Sequence, residues 1–139
     1  LELDDEDWLA WGILGYVSSW MGEMEKQAAE AFDRAIQLAE GERKESPRDA
    51  SLHSQLALYY AKTGKRQVSL QRLSTALTLS PDTGQTLADA AEVYELLGMR
   101  EKAVAALRRS LDRGFQRQQL LRNPELSRLL EDPRMKTSS

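Results

Sequence analysis

Apolar residues recur along this chain at three- and four-residue spacing, in stretches interrupted by glycine, proline or short polar runs. Leu52, Leu56, Tyr59 and Tyr60 form one such stripe, Thr63-Gly64-Lys65 breaks it, and Val68, Leu70, Leu73, Ala76 and Leu77 resume it. A 3.6-residue period puts these positions on one face of an α-helix. Extended along the chain, the pattern predicts helices near residues 5–21, 25–44, 49–63, 66–79, 84–97, 100–113 and 124–131. The interruptions suit helix ends: Gly64 and Gly98 fit the left-handed residue that closes a helix. Ser46-Pro47, Ser80-Pro81 and Asn123-Pro124 fit boundaries, because proline is tolerated only outside a helix or in its first turn. Asp132-Pro133 stops the last helix. Residues 41–47 keep two readings, a continuation of the second helix or a loop that begins at Glu40-Gly41.

The pattern also repeats. A shift of 34 residues lays Ser46-Pro47 on Ser80-Pro81, Ala57 on Ala91, Tyr60 on Tyr94, Gly64 on Gly98 and Leu73 on Leu107. Upstream the shift lengthens to 41 or 42, with Trp11 on His53, Gly22 on Gly64 and Ala35 on Ala76. Three two-helix units are therefore expected, an irregular first (5–46), then 47–81 and 82–115. Small residues at 57, 76, 91 and 103 let helices approach closely, while Tyr60, Tyr94, Leu73 and Leu107 fill the space between them. One such unit cannot bury its own apolar face, so stability requires stacking.

These residues resemble the tetratricopeptide repeat (TPR) family. Its pattern is matched by His53, Leu56, Ala57, Tyr60, Gly64, Ser69, Leu73, Ala76 and Pro81, and again by Leu87, Ala90, Ala91, Tyr94, Gly98, Ala103, Leu107 and Ser110. The first unit offers Trp11, Leu14, Gly15, Gly22, Ala28, Phe32 and Ala35, but has Ser18 in place of tyrosine and an extra residue in the turn. The resemblance spans about residues 8–115. It implies an all-α fold, a right-handed helix–turn–helix solenoid of three repeats in a single domain (1–139), acting as a protein–protein interaction module. Residues 116–135 are expected to cap it, with Leu120, Leu121, Leu126, Leu129 and Leu130 on one apolar face and Arg117, Arg122, Arg128 and Arg134 in water. Gly114-Phe115, Pro124-Glu125-Leu126 and Asp132-Pro133-Arg134 are similar to the tail that closes TPR segments of bacterial signalling proteins, such as eukaryotic-like serine/threonine kinases. A piece of a larger, cytoplasmic signalling protein is the resulting expectation.

Composition narrows the chemistry. At 139 residues the chain is long enough to bury roughly 70% of its extended surface without staples. The absence of cysteine excludes disulfides, thiol chemistry and Cys-ligated zinc. No apolar run reaches the roughly 18 residues of a membrane span. The net charge of −3 hides a gradient: residues 1–47 carry four Lys/Arg against twelve Asp/Glu, residues 48–98 five against five, and residues 99–139 ten against five. A nearly neutral total argues against a dedicated nucleic-acid binder. The sole histidine, His53, falls at a packing position of its repeat, and Thr63-Gly64-Lys65 lacks the earlier glycine of a phosphate loop. No carboxylate is paired with a second signal for acid–base work. No catalytic residue, metal or cofactor is expected, and no enzymatic activity.

Recognition remains. By the resemblance, the first helix of each pair lines a concave groove through Leu9, Gly12, Tyr16 and Trp20, then Ser51, Ser54, Leu58, Ala61 and Lys62, then Gln85, Ala88, Asp89, Glu92 and Glu95. A TPR subclass that clamps a C-terminal carboxylate uses lysine and asparagine where this chain has Ser54, Leu58, Ala88 and Glu92, so that ligand is not expected. The groove grades from aromatic to acidic, which suits an apolar segment followed by basic residues, unless the carboxylates are only a solvated helix face. Trp8, Leu9, Trp11, Ile13, Leu14, Tyr16, Val17, Trp20 and Met21 leave the first helix almost no polar face, and a helix apolar all round is normally buried all round. Either an upstream element covers it, or Trp8, Trp11 and Trp20 form a homo-oligomeric surface helped by the acidic start and basic end. The acidic run Glu2, Asp4, Asp5, Glu6 and Asp7 reads as favourable charge at a helix N-terminus.

Overall fold

The computed structural model describes residues 7–20 and 25–136, which are all-helical without strands. Eight α-helices run in order: α1 (Trp8–Trp20), α2 (Glu25–Glu45), α3 (Ala50–Lys62), α4 (Arg66–Leu79), α5 (Gly84–Leu96), α6 (Arg100–Asp112), α7 (Arg117–Leu121) and α8 (Pro124–Leu130). A 3₁₀ turn at Pro133–Met135 closes the described chain. The expected acidic run up to Glu6, Met21 and the turn glycine Gly22 lie outside the described residues, as does the side chain of Trp20.

Local chemistry sets the ends. Asp7 Oδ1 accepts the Ala10 N–H at 3.0 Å where α1 begins. Asp49 caps α3 through the Leu52 N–H at 3.2 Å. Asn123 caps α8 by accepting the N–H groups of Glu125 and Leu126 at 3.0 and 3.2 Å, with Pro124 in the first turn. Such caps satisfy donors that the helix itself leaves open. At the other ends, Gly64 and Gly98 take φ of 77° and 76°, a left-handed conformation that glycine adopts without a Cβ clash. The chain then folds back, so that Lys65 N–H reaches Tyr60 O at 2.9 Å and Met99 N–H reaches Tyr94 O at 2.8 Å. These two turns are 34 residues apart in sequence and share this closing bond, with Gly64 N–H to Ala61 O matched by Gly98 N–H to Glu95 O.

Two departures from the sequence pattern have local causes. The second helix continues through Gly41 to Glu45, and residues 46–49 form the turn. One exposed glycine costs a helix only about 1 kcal/mol relative to alanine, and Arg43 reaches back one turn to pair with Glu40. In the tail, an unanticipated short helix, α7, buries Leu120 but leaves Leu121 60% exposed. Consecutive residues on a helix point about 100° apart, so the five leucines do not share one face. Leu126, Leu129 and Leu130 are buried as expected.

The helices pack in sequential pairs: α1 on α2, α3 on α4, α5 on α6. Pair joins pair through α2 on α3, α3 on α5 and α4 on α5, and α8 then packs on α5. The first helices of the pairs make a row, α1–α3–α5, that α8 continues, with α1 meeting α3 through side chains, the Tyr16 and Tyr59 ring centroids standing 6.4 Å apart. Close approach rests on small residues: Ala57, Ala76, Ala91 and Ala103 are all fully buried at 0% exposure, beside Leu73 and Leu107. Two apolar clusters result. One gathers Phe32, Ala35, Ile36 and Ala39 of α2 with Leu52, Leu56, Tyr59 and Tyr60 of α3; the other runs from Ala57 and Leu58 through α5 and α6 to Leu126 and Leu129. Tyr16 of α1 packs against both. Glu40 ties three helices together, accepting from Tyr60 Oη, from Arg43 and from Arg72 at 3.0 and 3.1 Å. Burial pushes the Glu40 carboxyl up, but these donors outweigh it and hold it below its ordinary value.

Candidate partner-binding groove

The row α1–α3–α5–α8 encloses a cleft of about 260 Å³ lined by Ile13, Tyr16, Gln55, Leu58, Asp89, Glu92 and Asn123. Each helix contributes by register. Ile13 and Tyr16 stand one turn apart on α1, Gln55 and Leu58 on α3, and Asp89 and Glu92 on α5, the i, i+3 spacing that shares a helix face. Asn123 arrives as the cap of α8. The walls are apolar at the α1 and α3 side, where Ile13 is exposed and Leu58 buried.

The floor is acidic and dry. Asp89 is 7% and Glu92 4% exposed. Asp89 Oδ1 accepts from Gln85 Nε2 at 3.0 Å, whereas Glu92 Oε2 has no hydrogen-bond partner among the described residues. Burial pushes the Glu92 carboxyl up to about 8, with the charges of Asp89 and Glu125 adding to it and Lys62 and an Asn123 hydrogen bond opposing it. Burial likewise pushes Asp89 up to about 7, against the Gln85 hydrogen bond. The Tyr16 phenol is held well above its ordinary range by burial and then by Glu92 and Asp89. The cation on this side of the groove is Lys62, whose Nζ donates to Glu125 Oε1 at 2.9 Å and sits 5.1 Å from the Tyr16 ring centroid. Among the described residues, no group of three His, Cys, Asp or Glu side chains converges as a metal site would require.

The residues named from the sequence divide. Tyr16, Leu58 and Glu92 meet in the cleft, and Lys62 and Gln85 brace it. Leu9, 48% exposed, lies one turn before Ile13 on α1 and is not among the residues lining the cleft. Ser54 is fully buried and offers no accessible contact. Glu95 turns away to Arg100, which also holds the buried Asp132 at 3.1 Å; Arg134 donates to the same Asp132, so it is not a free surface charge. Neither Asp89 nor Glu92 is the solvated helix face that was one reading of the acidic positions. Trp8 and Trp11 are half-buried against the Phe32–Tyr59 cluster, and among the described side chains of α1 the large apolar ones left exposed are Leu9 and Ile13. His53 is packed inside at 4% exposure, its Nε2–H donating to Pro47 O at 2.8 Å. Sequence reasoning missed Gln55, Asn123 and Glu125. Asn123-Pro124 signals a helix start, but no local pattern says that this helix returns to α5.

Among the described residues no helix is long and apolar enough to cross a membrane. Comparison with known proteins returns no match, either to a family model or to a curated sequence.

Proposed function

We propose that this chain is a TPR-like interaction module, three helix pairs and a cap, which receives a peptide or a partner helix along α1, α3 and α5. The observation that carries the reading is the cleft between these helices, with the exposed Ile13 on its apolar side and the exposed Leu9 one turn away on the same helix. Exposed aliphatic side chains beside a partly polar concavity are the usual make-up of a recognition site. The 34-residue recurrence of sequence and of turn bonding supports the repeat assignment. The tail resemblance supports a place within a larger bacterial signalling protein, and the Asp132–Arg100–Arg134 clamp gives its Asp-Pro-Arg sequence a physical task. No catalysis is part of this reading.

Selection of randomised dodecapeptides on the whole chain tests it. Peptides are expected whose binding is lost in Ile13→Glu and kept in Leu121→Glu, a control at an exposed leucine outside the groove. Indifference of every selected peptide to Ile13→Glu would sink the groove. A second reading, self-association through α1, is favoured by the same exposed Leu9 and Ile13. It requires a mass in light scattering that rises with concentration and is restored to the monomer by Leu9→Glu; a constant monomer mass removes it.

A further inference from the structure

Two buried carboxyl groups on one helix face need a reason to be there, because each must either carry a costly unpaired charge or stay protonated at a pH where it would ordinarily ionise. Asp89 and Glu92 form the floor of the α1–α3–α5–α8 cleft, and among the described residues neither has an ion-pair partner. Lys62, the nearest cation, is committed to Glu125. Glu92, 4% exposed, is one of the residues lining the cleft, and its Oε2 is buried with no hydrogen-bond partner among the described residues. The cleft, about 260 Å³, is several times the roughly 30 Å³ share of one water molecule, so it admits a side chain. Its walls are matched to a long aliphatic stem, with Ile13 exposed at the mouth, Leu58 within and the Tyr16 ring alongside. The Tyr16 ring already carries one ammonium: Lys62 Nζ lies 5.1 Å from its centroid and donates to Glu125.

We propose that the cleft receives one lysine or arginine side chain from the bound segment, its stem against Ile13 and Leu58 and its cationic head between Asp89 and Glu92. This inference rests on the groove reading above and adds the chemistry of the anchor residue. An apolar neighbour on the ligand meets the exposed Leu9, one turn before Ile13 on α1. The alternative occupant, a metal ion, lacks a third ligand among the described residues. The groups facing the cation are Tyr16 from α1, Tyr59 and Lys62 from α3, Gln85, Asp89 and Glu92 from α5, and Asn123 and Glu125 from α8. Burial keeps the two carboxyls protonated to higher pH than usual, so the arriving cation ionises them and protons are released near neutral pH.

The selected dodecapeptides supply the test. Peptides sensitive to Ile13→Glu are expected to share a lysine or arginine at a fixed position. Replacing that residue by norleucine or citrulline is expected to weaken binding tenfold or more. The same loss is expected in Glu92→Gln, with Asp89→Asn as the second variant; the ligand-side change leaves the protein untouched and so decides the matter if either variant misfolds. Calorimetry in buffers of different ionisation enthalpy is expected to show proton release that disappears with norleucine. Ile13-sensitive peptides without a shared basic residue, binding Glu92→Gln as well as the native chain, overturn the cation anchor and leave the groove standing. If no peptide is sensitive to Ile13→Glu, both fall together.

Discussion

Replacing Gly12 and Gly41 by alanine, one at a time, separates helix propensity from packing at the first helix. A Cβ on Gly12 would stand 2.6 Å from Tyr59 Cζ and 2.7 Å from Cε1, where carbon atoms prefer about 3.5–4.0 Å. Relief requires roughly 1 Å of movement. The Tyr59 ring has nowhere to go: it is 1% exposed, with the Phe32 ring centroid at 6.0 Å and that of Tyr16 at 6.4 Å. Over-packing of one methyl group in such a place costs about 1–3 kcal/mol, partly offset by about 1 kcal/mol of helix propensity. Gly12→Ala is therefore expected to lose up to about 2 kcal/mol. At Gly41, within α2, an added Cβ meets nothing within 4 Å, so the same substitution is expected to gain about 0.5–1 kcal/mol. Urea titration followed by far-UV circular dichroism measures both, and the slope of each transition checks that the denatured states are comparable. Tryptophan fluorescence adds a local reading, since the three tryptophans, at 8, 11 and 20, all belong to α1. Equal stabilisation by the two alanines would refute the close α1–α3 approach.

Other perturbations follow from the same contacts. Ala57→Leu, at a fully buried position between helix pairs, is expected to cost about 1–3 kcal/mol in the same urea titration. Asn123→Ala removes the two hydrogen bonds that start α8 and is expected to cost about 1 kcal/mol, with loss of protection of the Glu125 and Leu126 amides in hydrogen exchange. Stability is also expected to fall as pH rises. The folded chain holds protons on Asp89 and Glu92 up to about 7 and 8, while the unfolded chain gives them up near the ordinary 3.8 and 4.5. Between about pH 4 and 8 the folded state thus binds more protons, and the urea midpoint declines across that window. Glu92→Gln is expected to flatten the decline; an unchanged slope would show that Glu92 ionises normally.

Much of the fold was legible because its signals are local. Gly64 and Gly98 mark turns through backbone conformation, and Ala57, Ala76, Ala91 and Ala103 mark close helix approach through size, each readable within one repeat. The continuity of α2 through Gly41 is not decided by the sequence, since one glycine costs a helix only about 1 kcal/mol. The site was less legible. The TPR resemblance implies that Tyr16, Leu58 and Glu92 line the groove, but burial depends on what a distant segment does. Lys62 meets Glu125 across 63 residues, and α8 turns the cap into a wall of the cleft. That return converts Glu92 from an expected surface charge into a buried acid. Similarly, the apolar character of Trp8 and Trp11 is plain in the sequence, yet only their packing against the α2–α3 cluster separates them from Leu9 and Ile13, which stay exposed.

The most direct test of the central claim is nuclear magnetic resonance mapping of a selected peptide on the isotopically labelled chain. The account expects shifts concentrated at Ile13, Tyr16, Gln55, Leu58, Glu92 and Asn123, the residues that enclose the cleft. Shifts confined to α2, α4 and α6, with the cleft residues unmoved, would contradict it.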